Sequence, residues 1–373
     1  MSKTKIVLAS VLKPVTEPRM YEKFAISIAG TDKYEVHIIG YESELPASHS
    51  PNIHFHPLFD FPRISFKRIM ASWKYYKTIL KLKPDLIVIN THEYLIVTSL
   101  YRILFGTEIL YDVQENYFRN IWYQDNFPPL IKQVLALWVR AKEWLFSPFI
   151  SHFLLAEEGY KTELSFIGKK FTVIANKFKS LKPLNPKKER IPDKKPIKFT
   201  YTGTISKEYG IEEAVVFTNK FSKTRDCQLN IIGYCPNGQL FTALKQKINN
   251  NPKIFLTGGN KPVSHFKLLK EIEQVDCALA PYRRHKSTEN CIPAKFYEYI
   301  AFKIPVLAPN DNPYWIKILS KYPNFLFIDF QNPDFDHINQ WLASYSPSFL
   351  AINEEIYWAQ EESKLLNVIN NHI

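Results

Sequence analysis

Short apolar runs rich in β-branched residues alternate with longer amphipathic stretches along most of the chain. In the first half the runs fall at 5–10, 34–40, 85–90, 108–113, 152–156 and 171–175. Several are almost continuously apolar, as parallel strands buried on both faces are, and the segments between them are long enough for crossover helices. The pattern predicts a doubly wound α/β domain over 1–176. A second series at 198–202, 228–233, 253–257, 276–280, 305–308 and 325–328 predicts another over 197–350. Between them, 177–196 turns to lysine and proline, with Lys177, Lys179, Lys182, Lys187, Lys188, Arg190, Lys194 and Lys195, and reads as an exposed basic linker. Beyond 350, Ile356, Trp358, Leu365, Leu366 and Val368 lie among polar residues, which predicts a terminal amphipathic helix in 351–373 packing back on the first domain. The expected fold is α/β, with two Rossmann-like domains facing a cleft. Ligands are expected just beyond the carboxyl ends of the strands.

Composition narrows the class without choosing a function. A chain of 373 residues is long enough for two cores. Its 46% hydrophobic content and 11 glycines exclude a disordered or collagen-like chain. Cys227, Cys235, Cys277 and Cys291 show no zinc spacing and read as buried free thiols. The opening residues lack the pattern of a signal peptide, and the longest apolar stretch, 144–156, is broken by Ser147, Pro148, Ser151 and His152. A cytoplasmic protein is expected. The net charge of +12 favours an anionic surface or substrate. Basic and aromatic stretches at 61–83 and 120–144, with Arg63, Lys67, Arg68, Lys74, Lys77, Trp73, Tyr75 and Tyr76, suit peripheral docking on the inner face of a membrane, although helix packing explains the aromatics equally well. No nucleic-acid-binding module is recognisable, so no nucleic-acid partner is expected.

The chemistry concentrates after the run ending at Ala280. Pro293 suits the first turn of a helix, which Ala294, Phe296, Tyr297, Tyr299, Ile300 and Ala301 continue until Pro305 ends it. A helix starting at a strand's carboxyl edge offers free N–H groups and a positive dipole end to an anion. Lys295 adds charge there, and Glu298 lies where a carboxylate can accept both hydroxyls of a ribose. Lys295 and Glu298 read equally as a surface pair three apart.

This segment resembles the nucleotide-sugar-binding signature of family 4 glycosyltransferases with the GT-B fold, through Asn290, Pro293, Lys295, Glu298, Tyr299, Ala301, Pro305 and Val306. The resemblance implies that Glu298 binds the donor ribose and that Asn290, beside Glu289, contacts the transferred sugar, where the family carries a carboxylate. The stretch 201–211 resembles the family's opening turn of the second domain, implying donor contacts at Gly203, Thr204 and Lys207. Thr204 and Tyr209 stand where most members carry an arginine and a lysine; Tyr282 and Arg283 complete the expected diphosphate side. Gly233 and Gly258 fall where the family's strand ends flank the nucleobase, and read also as ordinary turns. In the first domain 110–117 resembles a motif lining the acceptor side, with Gln114 replacing its histidine and Asp112 and Glu115 nearby. His92, after another strand, is a further candidate, with a structural role as the alternative.

The resemblance implies a retaining transfer from a UDP- or GDP-sugar to a glycan or lipid-linked acceptor in surface polysaccharide biosynthesis. The donor is a substrate and no cofactor or metal is expected; Asp334 and Asp336 read as solvated surface. The competing expectation is a non-catalytic sugar-nucleotide-binding subunit.

Overall fold

The computed structural model describes residues 3–61, 65, 67–123, 128–181, 183, 196–249, 251–349 and 354–373. Arg63, Lys182, Lys187, Lys188, Arg190, Lys194 and Lys195 lie outside the described residues. The chain forms two compact units, Met1–Leu181 with Tyr357–Ile373, and Lys182–Ile356.

The first unit is built on seven parallel strands, β1 (Thr4–Pro14), β2 (Tyr34–Tyr41), β3 (Ile53–Phe59), β4 (Leu86–Ile89), β5 (Glu108–Val113), β6 (His152–Leu155) and β7 (Phe171–Val173), in the order β3-β2-β1-β4-β5-β6-β7. Ile6, Leu8, Val36 and Ile38 are fully buried on the central strands, which is why those runs carry no polar alternation. β3 is a strand the hydrophobic pattern does not reveal. It lies at the sheet edge, alternates Ile53 and Phe55 with His54 and His56, and contains Pro57, which only an edge tolerates.

The helix Trp358–Asn370 belongs to this unit. Trp358 packs against Phe24, ring centroids 5.8 Å apart, and donates its indole N–H to Ser27 Oγ at 2.9 Å. Lys177 and Lys179, read as exposed linker lysines, are instead drawn into the same packing. Lys177 pairs with buried Glu361 at 2.8 Å and Lys179 donates to Ser27 at 3.1 Å, while Phe178 between them is buried. An alternation of lysine and one aromatic residue conceals this, because only the aromatic position is apolar.

The second unit holds β8 (Ile197–Thr204), β9 (Cys227–Tyr234), β10 (Ile254–Gly259), β11 (Cys277–Leu279), β12 (Val306–Pro309) and β13 (Phe325–Ile328), all parallel, in the order β10-β9-β8-β11-β12-β13. Phe199 meets Phe217 and Phe221 edge to face in its core, and those two stack on each other. Cys227, Cys235 and Cys277 are buried free thiols, whereas Cys291, expected to be buried with them, is a half-buried one; burial pushes the Cys227 thiol up to about 11. Asp334 and Asp336 are exposed, as expected of solvated surface, and Asp334 also caps the helix Phe335–Ser344, accepting the His337 N–H at 3.0 Å. No helix among the described residues is long and apolar enough to cross a membrane.

Candidate functional site

The strand order of the second unit reverses between β8 and β11, and the crevice outside the carboxyl ends of two such strands is where open α/β sheets bind ligands. Three glycines line the strand ends beside that point. Gly203 pairs in register with Gly233, and Gly233 with Gly258, so the three form one row across β8, β9 and β10. They are there because the backbones crowd: a Cβ on Gly233 would lie 1.7 Å from the Gly203 carbonyl oxygen, and one on Gly258 2.4 Å from that of Gly233. Gly210, which starts the helix Ile211–Phe221 in a left-handed conformation, is pressed in the same way against the Pro281 carbonyl after β11.

The helix Ala294–Ala301 begins at Pro293, whose own side chain supplies no cap to its amino end. Lys295, in its first turn, reaches back to β8 and donates its ammonium to the Thr202 carbonyl. Its Nζ lies 3.1 Å from where a Gly203 Cβ would stand, and over the rings of Tyr201 and Tyr282 at 5.4 and 5.3 Å. Burial pushes the Lys295 ammonium down to about 8, with Glu298 opposing the shift. Glu298 accepts from, or pairs with, His265 Nε2 at 3.1 Å, and Tyr299 is tied to Thr202 by a 2.8 Å hydroxyl bond. Lys295, Glu298 and the glycine row are thus gathered at one strand edge, with a cation, a carboxylate and a helix amino end on it.

Other expected donor residues are placed differently. Arg283 is engaged by Glu213 at 2.6 Å and Glu212 at 3.1 Å, which raise its pKa further. The Tyr282 ring packs inward against Tyr209, Phe296 and Trp315. Thr204, the last residue of β8, and Lys207 beyond it are exposed. Glu289, 3.8 Å from Arg284, and half-buried Asn290 lie on the loop before the helix. Buried Asn312 holds that loop, donating to the Glu289 carbonyl at 3.3 Å while its other end caps the helix Pro313–Leu319. His265 and Asn312 carry no local sequence signal, because each acts on a segment more than 20 residues away.

At the carboxyl edge of the first sheet, Gln114 is used at both ends: its oxygen accepts from Lys13 and its nitrogen donates to Asp112 at 2.6 Å. Asp112 is buried against Arg19. His92 Nδ1 lies 2.9 Å from the Lys142 ammonium, and burial pushes the imidazole down to about 4 despite Glu93. His92 is therefore neutral near pH 7. With Nδ1 accepting from Lys142 its proton sits on Nε2, so it can donate a hydrogen bond but does not serve as a base through Nδ1. Glu93 is held by Arg68, and Glu143, whose carboxyl burial raises to about 7, accepts from Tyr111 at 3.2 Å.

No protein-family model matches the chain, and no curated protein matches it in sequence. Solved structures do match in fold. Sucrose-phosphate synthase from Thermosynechococcus elongatus is similar over 98% of this chain and 94% of its own, at 16% identity and a TM-score of 0.67. HepE from Anabaena, solved with UDP and glucose, is similar over 99% and 100%, at 13% identity and a TM-score of 0.65. The catalytic domain of starch synthase IV from Arabidopsis thaliana, bound to ADP and acarbose, is similar over 100% and 99%, at 12% identity and a TM-score of 0.62. With its two parallel sheets, the chain therefore has the two-Rossmann-like-domain fold found in the GT-B glycosyltransferases.

Proposed function

We propose that the chain is a glycosyltransferase that takes a sugar from a nucleotide diphosphate donor, binding it at the carboxyl edge of β8 and β11. The observation that carries the reading is Lys295, a desolvated cation held against the Gly203 turn in the first turn of a helix, with Glu298 one turn deeper. A diphosphate placed there meets the ammonium and the helix N–H groups, and Glu298 takes the ribose hydroxyls. HepE, of the same fold, is described with UDP and glucose, which supports a uridine donor.

Transfer with retention of configuration, on a glycan or lipid-linked acceptor in surface polysaccharide synthesis, is the mechanism the sequence resemblance favours. In such a route a donor phosphate oxygen accepts the acceptor proton while Lys295 and the helix N–H groups stabilise the departing diphosphate. No side-chain base is required, which agrees with a His92 whose Nδ1 is taken up by Lys142 and a Gln114 engaged at both ends. The engagement of Gln114, with Asn290 in place of a carboxylate, also favours a second reading, a sugar-nucleotide-binding subunit without turnover.

A thermal-shift and calorimetric panel of UDP- and GDP-sugars tests the site. At least one stabilises the protein, and Glu298→Ala weakens its binding about 10- to 100-fold, as expected for losing hydrogen bonds to a charged group. A wild type that responds to no nucleotide sugar, or a variant that responds equally, removes the assignment. Release of free nucleotide only when acceptor is added separates the enzyme from the binding subunit.

Lys295 gives the site a pH dependence of two opposite signs. Its folded pKa of about 8 lies below the usual 10.5, so between those values the unfolded chain holds more protons and the ligand-free protein gains stability as pH rises. Binding of a nucleoside diphosphate needs the ammonium, so affinity weakens over the same window, by up to about tenfold per pH unit. Melting with and without UDP across that window measures both. Parallel changes in the two curves count against a role for Lys295 at the anion.

A further inference from the structure

The helix Pro129–Phe146 is built inside out. Its outward arc, about 120° wide at 100° per residue, carries Leu130, Val134, Leu137, Trp138, Trp144 and Leu145. Leu130 is 79% exposed and Val134 and Trp144 each 67%. Its charges turn inward instead: Lys142 and Glu143 are buried, and Arg140 pairs with Glu143 at 3.3 Å and lies over the rings of Phe118 and Phe166. A helix normally hides its apolar stripe in its own domain.

The exposed surface continues onto neighbouring helices of the same unit. Leu95–Phe105 packs beside Pro129–Phe146 and exposes Leu100, Ile103, Leu104 and Phe105. Lys67–Leu82 packs beside Leu95–Phe105, linked by the Tyr101 hydroxyl to the Ile79 carbonyl, and exposes Trp73 with Lys74, Lys77 and Lys81. Across the three helices the only acidic residue is buried Glu143, so the outward side is apolar and positive. Contiguous apolar exposure of this kind marks an interaction surface.

We infer that this three-helix face docks on an anionic lipid bilayer, with the Leu130–Leu145 stripe entering the headgroup region and Lys74, Lys77 and Lys81 facing the lipid charges. The charge selects this occupant. In a two-fold self-association the same patch meets itself, which brings like-charged lysines together, whereas anionic headgroups complement them and the acyl boundary takes the apolar arc. The inference is independent of the donor site, since nothing in it involves a nucleotide.

Flotation of the full chain with vesicles tests it, without nucleotide present. The protein floats with phosphatidylglycerol–phosphatidylcholine vesicles, is released by high salt, and stays unbound with phosphatidylcholine alone. The variant L130S/V134S/W138S loses about tenfold or more of the bound fraction, and K74E/K77E/K81E does the same by reversing charge at exposed positions. Circular-dichroism melts like those of the wild type keep the losses from being unfolding. Absence of wild-type binding to anionic vesicles, equal binding to neutral ones, or undiminished binding by both variants overturns the inference. So does a wild-type dimer in sedimentation that the serine variant converts to monomer, which would make a second copy the occupant.

Discussion

Gly233→Ala is expected to disrupt the second unit and to abolish its response to nucleotide sugars. The added methyl would stand 1.7 Å from the Gly203 carbonyl oxygen and 2.7 Å from its carbonyl carbon, both backbone atoms on the neighbouring strand. Neither can swing aside as a side chain would. Gly203 is itself fixed at φ +96° with the Lys295 ammonium against it, and on the other side Gly233 abuts Gly258. Relief therefore requires β8 and β9 to part, at a cost of about 3 kcal/mol or more. Hydrogen exchange is the suitable measurement, because a chain of two units need not unfold in one step. Amides of β8, β9 and β10 lose protection while those of β1 to β7 keep it, and thermal shift by the stabilising nucleotide sugar disappears. Gly238→Ala, whose new methyl meets nothing within 4 Å beyond its own turn of helix and whose φ is ordinary, serves as the control in the same unit and changes little. Retained protection across the glycine row would show that the strands are not held as closely as described.

That row illustrates what the sequence can and cannot disclose. Each glycine is visible as a strand end where a side chain is unwelcome, but their alignment depends on register, which is a property of three strands paired together. The central strands are legible because a strand buried on both faces must be apolar throughout. β3 is not, because an edge strand may alternate with histidine and hold a proline. Lys295 and Glu298 are legible because residues three apart on a helix share a face; His265 is not, since it meets Glu298 from another helix 33 positions away. Residue type alone leaves Arg283 and Gln114 as candidate ligand contacts, and only packing discloses that Glu212, Glu213, Lys13 and Asp112 already engage them. The helix Pro129–Phe146 is the sharpest case. Its periodic stripe is plain in the sequence, yet period fixes only that one face is apolar; the tertiary packing decides that this face points out.

Asp112→Ala is expected to destabilise the first unit by about 3–5 kcal/mol, because it strands a buried cation. Arg19 and Asp112 are each 1% exposed. The guanidinium donates to the carboxylate from Nη2 at 2.7 Å and from Nε at 3.0 Å, and it lies over the Phe24 ring at 4.8 Å. Arg19 Nη1 is buried without a hydrogen-bond partner among the described residues, so even the intact pair is incompletely satisfied by them. Removing only the carboxylate leaves a charge that water cannot reach. Removing both charges, as in Arg19→Met with Asp112→Leu, is expected to be far milder than the single change, since such a pair recovers little more than its own desolvation. Denaturant unfolding of the three variants, followed by exchange protection of β1 and β5, measures the difference. The same variants separate stability from the site: Asp112 accepts from Gln114, so the double replacement frees one end of that glutamine without unfolding the sheet. A double variant as unstable as Asp112→Ala would mean that the carboxylate is needed for its bond to Gln114 rather than for Arg19. If instead stability returns while any acceptor-dependent turnover falls, the orientation of Gln114 belongs to the function and the ion pair to the fold.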